Sequence, residues 1–178
     1  RISNLKRNAV AGIFGGKKRF RENWSTVSPE SGDLQAIEGD LKEYGMKVSY
    51  DSRDSERQPS SGILATLHLL QTTDTDSADF DYSLAHTEIK GYLPVARNQT
   101  VMLRLRAGHS DDRLPLFRRF FLGGIGSLRG YDYKESEGNR YALFNANYIW
   151  QFHHSELGAG IFFDAGQVYA DWTGIRLH

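Results

Sequence analysis

Hydrophobic and polar residues alternate with a period of two along much of this chain. In Tyr44 to Arg53, one face carries Tyr44, Met46, Val48 and Tyr50, and the other Lys47, Ser49, Asp51 and Arg53. In Thr100 to His109, Val101, Leu103, Leu105 and Ala107 oppose Thr100, Met102, Arg104 and Arg106. In Ala142 to Gln151, Ala142, Phe144, Ala146, Tyr148 and Trp150 share one face, and Asn145, Asn147 and Gln151 the other. In Leu157 to Asp164, Leu157, Ala159, Ile161 and Phe163 oppose Gly158, Gly160, Phe162 and Asp164. Period two is the signature of a β-strand, whose successive side chains point to opposite faces. Ile63 to Gln71 and Phe80 to Tyr92 read as further strands. Asn8 to Phe14, Arg19 to Trp24 and Leu34 to Lys42 carry the pattern more loosely. No stretch sustains helical periodicity, and a short helix competes only over Leu34 to Tyr44.

The connections alternate in length. Asp54 to Ser61, Pro94 to Asn98 and His153 to Glu156 are short, Thr72 to Asp79 is longer, and Ser110 to Arg140 is very long. Strands with one apolar and one polar face, joined by turns short at one end and long at the other, form the pattern of an antiparallel up-and-down transmembrane barrel. Aromatic residues near strand ends (Tyr44, Tyr92, Trp150, Phe152, Tyr169, Trp172) suit interfacial girdles. A soluble sandwich also alternates, but with its polar face in solvent. The pairs Arg104 with Arg106 and Asp51 with Arg53 favour the barrel, where such charges line a wet lumen and can neutralise one another.

Composition sets limits without choosing between these. The chain has 178 residues and no cysteine, and its 22 basic residues balance 22 acidic ones. Disulfide scaffolds and thiolate metal sites are excluded, and no net charge draws it to nucleic acid. No apolar run approaches the roughly 20 residues of a membrane helix. Arg1 to Phe20 lacks the apolar core of a secretory signal, so the expectation is a segment of a longer protein or one whose signal was removed. A polar average does not argue against a membrane barrel, because only alternate residues face lipid.

One segment breaks the alternation. Phe120 to Tyr133 reads F-F-L-G-G-I-G-S-L-R-G-Y-D-Y, with Gly123, Gly124 and Gly126 followed by Arg129 between Leu128 and Gly130. It is too rich in glycine for a helix and too long for a hairpin turn. It reads as a shaped loop around one arginine, part of a connection over about residues 110–140. A phosphate-binding loop is disfavoured, because no strand-to-helix context surrounds the glycines and no lysine–serine pair follows.

Three motifs resemble the BamA and two-partner-secretion transporter superfamily, the bacterial surface antigen barrels. Leu122 to Tyr131 is similar to the family's long sixth extracellular loop with its arginine–glycine–aromatic tip. Phe162-Phe163-Asp164-Ala165-Gly166 is similar to its F-x-D-x-G strand motif. Asp51-Ser52-Arg53-Asp54, followed by Pro59 and Gly62, resembles a strand end and periplasmic turn. The resemblance covers about Tyr44 to Trp172. It implies an all-β chain forming about half of a sixteen-stranded barrel. Residues 1–178 would make one partial barrel domain of about seven to nine strands. Partner strands would come from the same polypeptide or another chain, since open edges in lipid are prohibitive.

The resemblance also implies residue roles. The loop motif Gly123, Gly124, Arg129, Gly130 and Tyr131 would sit inside the barrel, with Arg129 bonded to Asp164. Period two places Phe162, Asp164 and Gly166 on one face, opposite Ile161 and Phe163, so Asp164 would point into the lumen. Gly130 would permit a turn beside Arg129, and Tyr131 would pack or hydrogen-bond against the inner wall. No catalytic, metal or cofactor site is expected. His153 and His154 point opposite ways on a strand, Asp111, Asp112 and Asp132 lack calcium-loop spacing, and Ser127 lies in no G-x-S-x-G elbow. The function implied is a non-enzymatic barrel of the bacterial outer membrane that inserts outer-membrane proteins or secretes polypeptides. Its partners would be outer-membrane lipid and client polypeptides. Alternatives are the membrane anchor of a fused patatin-like lipase and a soluble ligand-binding β-barrel.

Overall fold

A computed structural model of the chain describes residues 8–24, 35–74, 81–111, 118–152 and 157–169. The described chain is built from β1 (Asn8–Trp24), β2 (Gln35–Asp51), β3 (Gly62–Asp74), β4 (Tyr82–Ala96), β5 (Gln99–Ser110), β6 (Phe120–Leu122), β7 (Ser136–Gly138), β8 (Arg140–Gln151) and β9 (Gly158–Tyr169). Seven of them form one antiparallel sheet in the order β1-β2-β3-β4-β5-β8-β9, and β6 and β7 form a separate small hairpin. Each strand pairs with its neighbour in sequence except where the β6–β7 hairpin intervenes, so the sheet is an up-and-down meander.

The alternating segments of the sequence are all strands, and several run further than their patterns. Asn8 to Phe14 and Arg19 to Trp24 merge into β1, and Leu34 to Tyr44, where a helix competes, lies almost wholly in β2. The predicted turn Pro94 to Asn98 is too wide. Strand β4 continues through Pro94 to Ala96, with a register shift between those two residues. Proline has no N–H to give a ladder and is tolerated at such an irregularity. The turn narrows to Arg97 and Asn98, and Asn98 adopts a φ of 60°. Asparagine accepts that left-handed conformation more readily than most residues. The readings on His153 and His154, Asp112 and Trp172 fall outside the described residues.

Register assigns the two faces. Across the sheet, Ile13, Met46, Leu69, Leu105, Phe144 and Phe163 belong to one face, and Glu43, His68, Glu88, Arg104, Asn145 and Asp164 to the other. The apolar face is the open one: Ile13 is 89% exposed, Leu105 54% and Ile161 74%. The polar face is the covered one, and Thr72, Tyr82 and Ser110 on it are fully buried. This inverts the arrangement of a water-soluble sheet. An apolar surface running over seven strands far exceeds the few hundred Å² that soluble monomers leave open. Tyr92 is a correction to the girdle reading, since it lies on the polar face with Lys90 and Met102. Trp150 and Phe152 do stand exposed together at the turn end, their rings 5.7 Å apart.

Candidate functional site

The long connection between β5 and β8 folds back over the polar face. Its hairpin pairs Phe120 with Gly138 and Leu122 with Ser136. Leu122 and Leu128 pack with Tyr141 and Leu143 of β8, flanked by Phe120 and Val168. Loop and sheet thus share one of the two apolar clusters among the described residues. Gly108 of β5 lies beneath the rings of Tyr141 and Phe120, where a side chain would collide with both. Gly166 does the same service on β9: a Cβ there would come within 3.1 Å of Leu122 Cδ1 and Leu143 Cδ1.

Two features shape the loop tip. The Ser127 hydroxyl receives the Gly123 N–H at 2.9 Å and donates to the Gly123 carbonyl at 3.0 Å. Gly123 has a φ of 121°, and a side chain there would strike the Asp132 carbonyl. Only glycine adopts that conformation without strain. Gly124 donates to the Tyr131 carbonyl at 3.2 Å, closing the tip.

Arg129 joins the tip to the sheet. Its Nε donates to Asp164 Oδ2 at 2.7 Å and its Nη2 to Asp164 Oδ1 at 2.6 Å, while its backbone N–H donates to Oδ2 at 3.0 Å. Nη2 also donates to Asn147 Oδ1 at 2.7 Å. The guanidinium lies 3.7 Å over the ring of Phe162. Asn145 Nδ2 donates to Asp164 Oδ1 at 2.7 Å and to the Ser127 carbonyl at 2.8 Å. The Asp164 side chain is 4% exposed and that of Arg129 26%. A two-pronged guanidinium–carboxylate bond with a cation–π face fixes orientation as well as position.

The structure therefore brings together Gly123, Gly124, Arg129, Phe162, Asp164 and Gly166. Gly130 follows Arg129 with a φ of 92°. Tyr131 does not pack on the inner wall as expected; it is 58% exposed, and its carbonyl rather than its ring serves the tip. The pattern of residues gave no role to Asn145 and Asn147, whose only signal was a polar residue on the face opposite the apolar one, and it marked Arg104 as a lumen-lining charge paired with Arg106 without linking it to the loop. Arg104 Nη1 donates to the Gly126 carbonyl at 3.0 Å and its Nε to Glu88 Oε1 at 2.6 Å.

A second unit lies apart, at the turn between β2 and β3. Arg53 makes a forked pair with Asp51, Nε to Oδ1 at 2.9 Å and Nη2 to Oδ2 at 2.7 Å, and this bond raises the Arg53 pKa. Asp54 accepts the backbone N–H of Ser60 at 2.9 Å and of Ser61 at 3.2 Å, together with the Ser60 hydroxyl. Burial pushes the Asp54 carboxyl up, but these bonds outweigh it and hold it below the usual carboxylate value. Pro59 lies within this turn. Gly62, with a φ of 103°, starts β3 where a Cβ would meet the Ser52 backbone. Asp111, weighed as a calcium ligand, instead accepts the Ser83 N–H at 2.7 Å.

Comparison with known proteins agrees with this architecture. A family model described as the Omp85 superfamily domain matches residues 8–174. The outer membrane protein assembly factor BamA of Nitratidesulfovibrio vulgaris is 28% identical over 141 residues, which are 70% of this chain and 18% of that protein. A crystal structure of BamA from Haemophilus ducreyi lacking POTRA domains 1-3 superposes with a TM-score of 0.70 at 14% identity, covering 94% of this chain and 40% of that one. This chain thus spans less than a fifth of the curated relative and shares with the solved one its fold. An open meander with an outward apolar face is part of a transmembrane barrel, not a soluble one. The chain belongs to the Omp85 superfamily and is part of a barrel integral to the outer membrane of a Gram-negative-type bacterium.

Proposed function

We propose that this chain is the loop-bearing half of an outer-membrane barrel that assembles outer-membrane proteins or secretes polypeptides. The single observation that carries this reading is the bonding of Arg129 to Asp164, Asn147 and Phe162. A loop held so firmly against the polar wall is a built part of the lumen. In this reading the polar face lines the lumen, the loop occupies it, and residues 1–178 act as one partial barrel domain. The strands that complete it come from the same polypeptide or another chain. Client polypeptides pass by way of the lumen or a lateral opening, where an unpaired strand edge templates the incoming strand through main-chain hydrogen bonds. Lipid contacts the apolar face. The scheme needs no nucleotide or other cofactor.

The pair is the place to test it. Arg129→Glu sets two carboxylates against each other beside a nearly buried Asp164. Loss of one partner of a buried pair costs on the order of 3–5 kcal/mol. Assembly or secretion of client proteins by the full-length protein in cells is expected to fall sharply, and Asp164→Arg in the same chain to restore it in part. Normal client handling by Arg129→Glu alone would remove the pair, and with it the loop, from the mechanism.

A further inference from the structure

Arg129 is not the only contact between the loop tip and the wall, and the others have an order. Arg104 of β5 stands opposite Asn145 of β8, and Asn145 stands opposite Asp164 of β9. These three residues form one row across the polar face. The loop meets the row in sequence: the Gly126 carbonyl accepts from Arg104, the Ser127 carbonyl from Asn145, and Arg129 takes Asp164. Neighbouring strands lie about 4.8 Å apart, so the row spans about 10 Å. The segment from Gly126 to Arg129 thus crosses the row through a bend and a turn, held between an arginine of the wall at one end and its own arginine at the other.

We infer that Arg104 is a second positioning residue of the loop, working as a clamp at the end opposite Arg129. It lies outside the glycine-rich segment and outside F-x-D-x-G. Its guanidinium has two tasks at once. Nε binds Glu88 Oε1 at 2.6 Å, while Nη1 holds the Gly126 carbonyl at 3.0 Å. Glu88 sets the direction of that fork, and Lys90 at 3.5 Å and Arg106 at 3.8 Å share the same carboxylate. The side chains of Arg104 and Glu88 are 19% and 17% exposed, so the pair is partly shielded from water. Arginine suits this site because its planar fork presents donors in fixed directions, whereas lysine offers one nitrogen. Arg104→Lys keeps the charge beside Glu88 but loses the fixed fork whose separate nitrogens reach the carboxylate and the carbonyl.

The inference rests on reading the loop as the working part of the barrel, but the position of the loop can be measured without reference to activity. Residues 1–178 contain no cysteine, so within them nitroxides attach only at introduced positions, and the same protein without the introduced pair reports any background labelling. Ile125, 92% exposed beside Gly126, marks the tip, and Arg97 in the tight turn between β4 and β5 marks the wall. Ile125→Cys and Arg97→Cys are labelled in the full-length protein in its membrane, and the distance distribution is read by double electron–electron resonance. A hydrogen bond from a charged donor shifts an equilibrium by roughly tenfold or more. Arg104→Lys is expected to raise the population of the displaced tip by about that factor, with the heat-modifiable mobility of the folded barrel unchanged. If Arg104→Lys does not insert, the neutral pair Arg104→Met with Glu88→Gln takes its place, and the same displacement is expected. A wild-type distance distribution in either folded variant overturns the clamp. Displacement with full client handling leaves the clamp standing and overturns the functional reading of the loop instead.

Discussion

Asp164 takes bonds from the backbone and side chain of Arg129 and from Asn145. A carboxylate that is 4% exposed and satisfied in this way fixes its donors as firmly as it is fixed by them. Gly123 matters for a different reason. Its φ of 121° and the nearby Asp132 carbonyl leave no room for a side chain. Gly123→Ala is expected to destabilise the loop by about 1–3 kcal/mol while leaving the sheet intact. The measurement is limited proteolysis of the folded protein: cleavage should rise within residues 118–140 and nowhere else in the described strands. Unchanged cleavage there would mean that the tip tolerates another conformation.

Strands and turns divide the work between them. The turn from Ser52 to Ser61 is organised around Asp54, whose bonds to Ser60 and Ser61 lower its pKa. A depressed carboxyl contributes stability that is complete above the ordinary value near pH 4. That contribution fades as the pH falls through the lower folded value. Exchange of the Ser60 and Ser61 amide protons, corrected for its intrinsic pH dependence, should therefore speed up below about pH 4. Asp54→Asn should abolish the dependence, and an identical profile in that variant would assign the effect to another group. The turn between β4 and β5 needs no such network, because two residues suffice once Asn98 adopts a positive φ. Strand lengths of 12 to 17 residues in the sheet exceed the 9–11 or so that a tilted strand needs to cross a bilayer.

The molecule as a whole is an open sheet with its apolar side outward and a loop against its polar side. Its two faces should answer differently to charge. Leu105 sits on the outer face of central strand β5 and is 54% exposed, so Leu105→Arg is expected to cost about 2–4 kcal/mol in the membrane. Thr66→Lys, on the opposite face across from Glu88, is expected to stay within about 1 kcal/mol. Unfolding titrations of the full-length protein in lipid vesicles would compare the two. Equal costs would contradict the assignment of the outer face to lipid.

Period-two alternation was enough to place the strands, because one face of a strand in a barrel meets hydrocarbon and the other water, and that difference is written into every second residue. Polar spacing alone put Arg104, Asp164 and Asn145 on a common face. The shape of the β6–β7 hairpin, the exposed place of Tyr131 and the inward place of Tyr92 were not legible, since they depend on which strands become neighbours and at what register. The row of Arg104, Asn145 and Asp164 exists only after three strands, the outermost 60 residues apart in sequence, are paired in register. Local residue order sets which way a side chain faces. The partner it finds there is set by pairing between distant segments, and Arg129 acquires its place through that pairing.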